Sequence, residues 1–216
     1  MKIFICGDST AASYRAEETP MVGWGQVLGE YLPEAEVVNL AKAGRSTRTF
    51  LGEGRLEPVK QEAAPGDLVL IQFAHNDENK DKPERYAAAW TDYRDNLALF
   101  VQAARERGAR PVLLTPICMR IWKDGRLQPT HGEYPAAMRA VAEDMQVPLI
   151  DLYAESFRIV EALGEEGSRA LFMCRTGSGE DNAHTRRPGA ERFAACAAGQ
   201  LRALKLLAPA DRTGER

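Results

Sequence analysis

Ser9 lies near the end of the run Lys2-Ile3-Phe4-Ile5-Cys6-Gly7-Asp8-Ser9-Thr10, and Asp181-Asn182-Ala183-His184 lies near the other end of the chain. A hydroxyl is a poor nucleophile at neutral pH. It needs a histidine to take its proton and a third group to hold that histidine in the right tautomer. Ser9, His184 and Asp181 supply those three groups. An aspartate three residues before a histidine lets both side chains lie on one turn, with the carboxylate on the ring edge away from the serine. Taken singly, Ser9 is also a turn residue and Asp181 a cap, so the reading depends on what else the chain brings to them.

Two further segments matter. Val38 to Ser46 reads as a short strand ending in a turn at Gly44, and Asp67 to Asp77 as an apolar strand ending in His75-Asn76-Asp77. In a parallel sheet, ligand groups gather beyond the carboxyl ends of the strands. Ser9, Gly44 and Asn76 all fall at such ends. The backbone N–H groups of Ser9 and Gly44 and the Asn76 amide then form three donors for one oxygen. That is an oxyanion hole, which stabilises the charge of a carbonyl turning tetrahedral.

Ser9, Gly44, Asn76 and His184, in this order and these contexts, resemble the four blocks of the SGNH (GDSL-like) hydrolases, most nearly the rhamnogalacturonan acetylesterase branch. Gly23-Trp24-Gly25, Ala43 to Phe50, Gly54-Arg55, Pro65 to Asp77 and Pro188-Gly189-Ala190 extend the likeness over about residues 1–205. The chain departs from that branch at Ala74, where Gly is usual, and at Ala183, where Thr is usual. The resemblance implies a flavodoxin-like three-layer αβα sandwich around a parallel sheet of about five strands. It implies catalytic Ser9, Asp181 and His184, with an oxyanion hole of Ser9, Gly44 and Asn76. The activity it implies is removal of acetyl groups from carbohydrate, pectin-derived oligosaccharide above all, without metal or other cofactor. A short-chain lipase or thioesterase on the same triad is the alternative, and a non-catalytic carbohydrate-binding module a more distant one.

Around this centre, His75 is a neighbour that touches substrate or braces the Asn76 loop, and Asp8 holds the turn at Ser9. Arg45 is the arginine put forward for substrate, from a set with Arg48, Arg55, Arg120, Arg186 and Arg187. Guanidinium groups bind carboxylates in bidentate fashion, and galacturonate carries one per sugar. The same arginines equally serve internal ion pairs. Trp24 and Trp122 could stack on sugar, Trp24 being better suited to packing. His131 reads as a surface-loop residue.

The elements that must position these groups follow from apolar patterning. Strands are expected at Lys2–Cys6, Glu36–Leu40, Leu68–Gln72, Arg110–Thr115 and Pro148–Asp151. Helices are expected at Gly25–Tyr31, Tyr86–Arg107, Ala136–Met145, Ala154–Leu163 and Pro188–Leu206. Alternating strands and helices, with near-continuous apolar strands, call for a parallel sheet covered on both faces. With 216 residues, 44% hydrophobic and 27% charged, a single domain over 1–208 is expected, followed by a frayed tail over 209–216. A net charge of -3 offers no field for nucleic acid or an anionic membrane surface. Ile3 to Cys6 reads as a strand leading directly into Ser9, so these first residues are not expected to act as a signal peptide. Four scattered cysteines, with no Cys-x-x-Cys pair, read as thiols in a reducing compartment, so a cytoplasmic location is expected.

Overall fold

The computed structural model describes residues 1–207; the expected tail over 209–216 lies outside the described residues. The strands are β1 (Lys2–Gly7), β2 (Glu36–Asn39), β3 (Leu68–Gln72), β4 (Arg110–Leu114), β5 (Trp122–Lys123), β6 (Arg126–Leu127), β7 (Leu149–Ile150), β8 (Phe172–Thr176) and β9 (Gly179–Thr185). The helices are α1 (Trp24–Tyr31), α2 (Thr47–Gly52), α3 (Glu57–Glu62), α4 (Asp92–Glu106), α5 (Tyr134–Asp144), α6 (Leu152–Ser168) and α7 (Arg187–Ala203).

Five strands form one parallel sheet in the order β2-β1-β3-β4-β7. Alternation along each strand splits the core in two. Ile3, Ile5, Leu68, Leu70, Val112 and Leu114 pack with Trp24, Val27 and Phe193 of α1 and α7. Phe4, Val69, Ile71 and Leu113 pack with Tyr93, Phe100 and Met138 of α4 and α5. Both sheet faces are therefore covered, which is why the strands read as unbroken apolar runs. This is the three-layer αβα arrangement expected. Its strand order reverses between β1 and β3, and the groups that follow those strands meet at this switch point.

The structure differs from the sequence reading in four places. The long helix begins at Asp92, not Tyr86, because Thr91 has φ -127° and ψ -98°, which no helix tolerates. Trp90 falls outside the helix and is 44% exposed rather than part of its apolar stripe. Helices α2 and α3 were absent from the expectation. Ser46 caps α2 through a reciprocal pair with Thr49, where the usual sequence signal would be Glu or Gln. Finally, β8 and β9 form an antiparallel hairpin outside the main sheet, so Asp181 and His184 sit on a strand and not on a free turn.

Candidate active site

The tight loop after β1 carries Ser9. Asp8 is fully buried beneath it and accepts from Thr10 N at 2.9 Å and Thr10 Oγ1 at 2.7 Å, which pins the turn. Gly23 and Gly25 allow α1 to press on this loop: a Cβ at Gly25 would lie 2.5 Å from the Ala11 carbonyl. Trp24 N donates to Thr10 O at 2.9 Å, and the buried Trp24 ring donates to Gln72 Oε1 at 2.9 Å. Trp24 is thus a packing residue. Tyr14 Oη donates to Ser9 O at 2.8 Å, and burial with the nearby Asp8 charge pushes its pKa up, so it stays protonated.

Strand β9 carries the other half. Asp181 Oδ1 accepts from Ala183 N at 3.3 Å and His184 N at 3.0 Å, a local turn folded into the strand. Both carboxylate oxygens lie 3.0 Å from His184 Nδ1. A carboxylate can only accept, so Nδ1 holds the proton and Nε2 is left as the basic nitrogen. The loop at Met119–Ile121 ties the strand in place, with Arg120 N donating to Asn182 O at 2.7 Å. At its end Val22 N donates to Thr185 O at 2.9 Å and Thr185 Oγ1 to Val22 O at 2.6 Å.

Gly44 follows β2 at φ +77°, a left-handed conformation that favours glycine. Among the described residues, neither the Ser9 nor the Gly44 N–H donates to a protein acceptor. Asn76 follows β3. Its Nδ2 donates to Arg45 O at 3.0 Å, which leaves one amide hydrogen free, and its Oδ1 accepts from Arg85 Nη1 at 3.4 Å. The Arg45 carbonyl can only accept and the guanidinium can only donate, so one orientation of the amide satisfies both. Ser9, Gly44, Asn76 and His184 line one cavity of about 500 Å3, together with Tyr14, Met21, Ala43, His75, Arg85, Met119 and Ala183.

Beneath the cavity lies a buried charged cluster. His75 Nδ1 sits 3.3 Å from Asp8 Oδ2. Burial works against both charges, but each charge favours the other and outweighs it; Thr10 adds its donors, so Asp8 falls below and His75 rises above its ordinary range. The His131 ring meets His75 edge-on at 4.3 Å, with Nε2 2.9 Å from Ile117 O and Nδ1 3.2 Å from Glu78 Oε1. Burial and then the His75 charge hold His131 low. The expectation of a surface histidine is corrected: His131 is 3% exposed, at φ +66° before Gly132. Burial pushes Asp77 up to about 7, although its Oδ1 accepts from Thr47 N at 2.9 Å and Thr47 Oγ1 at 2.5 Å.

Arg45 is placed elsewhere than expected for a substrate contact. Its Nε lies 3.1 and 3.0 Å from the two Glu53 carboxylate oxygens and its Nη1 donates to Ala43 O. It reaches the site only through its carbonyl on Asn76. Arg48 pairs with Asp92, Arg55 with Glu53, and Arg187 with Glu30 and Glu191. The arginine that does line the cavity, Arg85, escaped the sequence reading because Glu84-Arg85-Tyr86 looks like the start of a helix. Only the close return of that loop onto Asn76 distinguishes it.

The sequence pattern of the GDSL-like lipase/acylhydrolase family matches residues 5–185. This chain belongs to that family. The rhamnogalacturonan acetylesterase RhgT of Bacillus subtilis strain 168 is 43% identical over 175 residues, 80% of this chain and 74% of the relative. A probable rhamnogalacturonan acetylesterase of the same organism, YesY, is 38% identical over 205 residues, 94% of each chain. Among solved structures, the YxiM protein of Bacillus subtilis superposes with a TM-score of 0.82 at 27% identity, covering 94% of this chain and 56% of that one.

Proposed function

We propose that this GDSL-family chain is a serine esterase that removes O-acetyl groups from carbohydrate, with rhamnogalacturonan-type oligosaccharides as its substrate class. One observation carries the reading: Ser9, Gly44, Asn76 and His184 converge on a single cavity while Asp181 holds His184 Nδ1. The relatives named for rhamnogalacturonan acetylesterase activity, 38–43% identical over most of the chain, support the substrate class.

The chemistry follows from the groups in place. Ser9 Oγ attacks the acetyl carbonyl as its proton passes to His184 Nε2. The resulting imidazolium is stabilised by Asp181. The oxyanion takes hydrogen bonds from Ser9 N–H, Gly44 N–H and the free hydrogen of Asn76 Nδ2. Collapse breaks the ester bond, and His184 returns the proton to the departing sugar oxygen. A water then attacks the acetyl-enzyme as His184 takes its proton. The second tetrahedral intermediate releases acetate and restores Ser9. A neutral acetyl group suits the cavity wall formed by Met21, Ala43 and Met119.

No helix among the described residues is long and apolar enough to cross a membrane. The four cysteines are free, two of them buried, which supports action in a reducing compartment such as the cytoplasm. The test is acetate release from acetylated pectic oligosaccharides, alongside 4-nitrophenyl esters of increasing chain length. Wild type should release acetate from the oligosaccharides and lose kcat/KM beyond propionyl, while Ser9→Ala stays folded and inactive. A kcat/KM that climbs from acetyl to octanoyl would favour a lipase or thioesterase.

A further inference from the structure

A second cavity, of about 410 Å3, shares the catalytic strand. Asn182, one residue from Asp181 and two from His184, borders it together with Arg120, Trp122, Arg169, Arg175 and Glu180. Arg120 is only 6% exposed, yet its guanidinium meets neutral groups alone, Ser168 Oγ at 3.1 Å and the Glu165 carbonyl. Among the described residues neither Arg120 nor Arg175 forms an ion pair, and Arg169 reaches Glu166 only at 4.0 Å. Glu165 and Glu180 border the cavity without pairing to any of the three. The indole Nε1 of Trp122 is buried with no acceptor. A buried charge without a counter-ion and a buried N–H without an acceptor both carry a desolvation cost that an anion would relieve.

Guanidinium groups take a carboxylate through parallel N–H bonds, and an indole adds an apolar face with one donor. The catalytic cavity begins on the neighbouring residues Ala183 and His184. Along a strand that is roughly 7 Å from Asn182 to His184. We infer that this second cavity is a subsite for a carboxylate-bearing sugar of the same oligosaccharide whose acetyl group enters the catalytic cavity. The inference rests on the carbohydrate esterase reading. It assigns recognition of the acidic sugar to Arg120, Arg169, Arg175 and Trp122, at a distance from the reacting ester.

The experiment compares acetylated uronic-acid oligosaccharides with the same oligosaccharides methyl-esterified at every carboxyl. Wild type is set against Arg169→Ala/Arg175→Ala, whose side chains are exposed and removable, and against Trp122→Phe, which removes the indole donor and part of the ring face while keeping an aromatic side chain. The ratio of kcat/KM for acidic over neutral oligosaccharide should fall about tenfold or more in the double variant, as expected for lost charge-assisted hydrogen bonds, and the change should lie in KM. A ratio within twofold of wild type overturns the subsite. If wild type cleaves 4-nitrophenyl acetate but no acetylated oligosaccharide, the carbohydrate reading fails. The cavity is then judged by calorimetric titration of digalacturonate into Ser9→Ala protein. Binding that the double variant loses supports the subsite, and no binding overturns it. Inorganic phosphate binding as tightly as digalacturonate also overturns it, since the cavity would then hold a free anion and not a sugar.

Discussion

Arg85 places a positive charge behind the proposed oxyanion hole of Ser9, Gly44 and Asn76, and its removal gives a quantitative test. Its Nη1 lies 3.4 Å from Asn76 Oδ1, and a methyl group at Gly44 would sit 3.6 Å from both of its Nη atoms. Across the amide, an oxyanion bonded to Asn76 Nδ2 would be roughly 7 Å from that charge. Unit charges at that distance attract by about 2 kcal/mol at an effective dielectric of 20 and by about 0.6 kcal/mol in water. The Arg85 side chain is 30% exposed and its Nε lies 3.7 Å from Glu84 Oε1, so solvent and that exposed carboxylate offset part of this, and about 1 kcal/mol remains. Arg85→Met should therefore lower kcat about five- to tenfold with KM nearly unchanged. Arg85→Lys should keep most of the rate. Arg85→Glu reverses the charge and should cost about twice the free energy of the Met variant, or some 25- to 100-fold. The assay is steady-state hydrolysis of 4-nitrophenyl acetate, a neutral ester with no carboxylate for Arg85 to bind. The gap between wild type and Arg85→Met should narrow with added salt. Equal losses for Met and Lys would mean that shape matters and not charge. A loss confined to KM would make Arg85 a substrate-binding group. Either result refutes the reasoning.

Three other substitutions probe the surrounding structure. Asn76→Ala should cost about 10²- to 10³-fold in kcat with little change in KM, since the amide acts on the transition state; a rise in KM at constant kcat would contradict this. Asp181→Asn should cut kcat sharply while leaving the melting temperature close to wild type, because the asparagine amide can force the wrong imidazole tautomer; retention of a tenth of the rate would count against the triad. Asp77→Asn should stabilise the protein more at pH 8 than at pH 5. The raised carboxyl pKa means that the folded state binds more protons than the unfolded state between about pH 4 and 7, so wild-type stability falls as pH rises through that window. Asparagine lacks that slope and keeps an acceptor for Thr47. Between pH 5 and pH 8 about two units of that window are crossed, so the relative gain is at most about 3 kcal/mol, read from urea midpoints at the two pH values. An equal change at both would show that Asp77 does not titrate in this range.

Local chemistry made much of this protein legible from its sequence. Strands buried on both faces must be continuously apolar, so the runs Lys2–Cys6 and Leu68–Gln72 announced a parallel sheet, and the groups just beyond them announced a site. Asp181 and His184 are three residues apart, so their contact is nearly a local property. The remainder depended on distant segments meeting, which no periodicity encodes. Arg85 belongs to the site because its loop folds back onto Asn76. Arg45 is withdrawn from it because Glu53 happens to lie within reach. His131 is buried because its left-handed backbone turns the ring onto His75, 56 positions earlier in the chain. Arg120 stands buried without a counter-ion because its backbone is tied to Asn182 of β9 while its guanidinium turns onto Ser168 and the Glu165 carbonyl of α6. Sequence determined which groups could do chemistry and where the strands would present them. Tertiary structure decided which of the chain's many charges are already neutralised by one another and which remain free for a ligand. That depends on distances of a few ångströms between segments tens of residues apart.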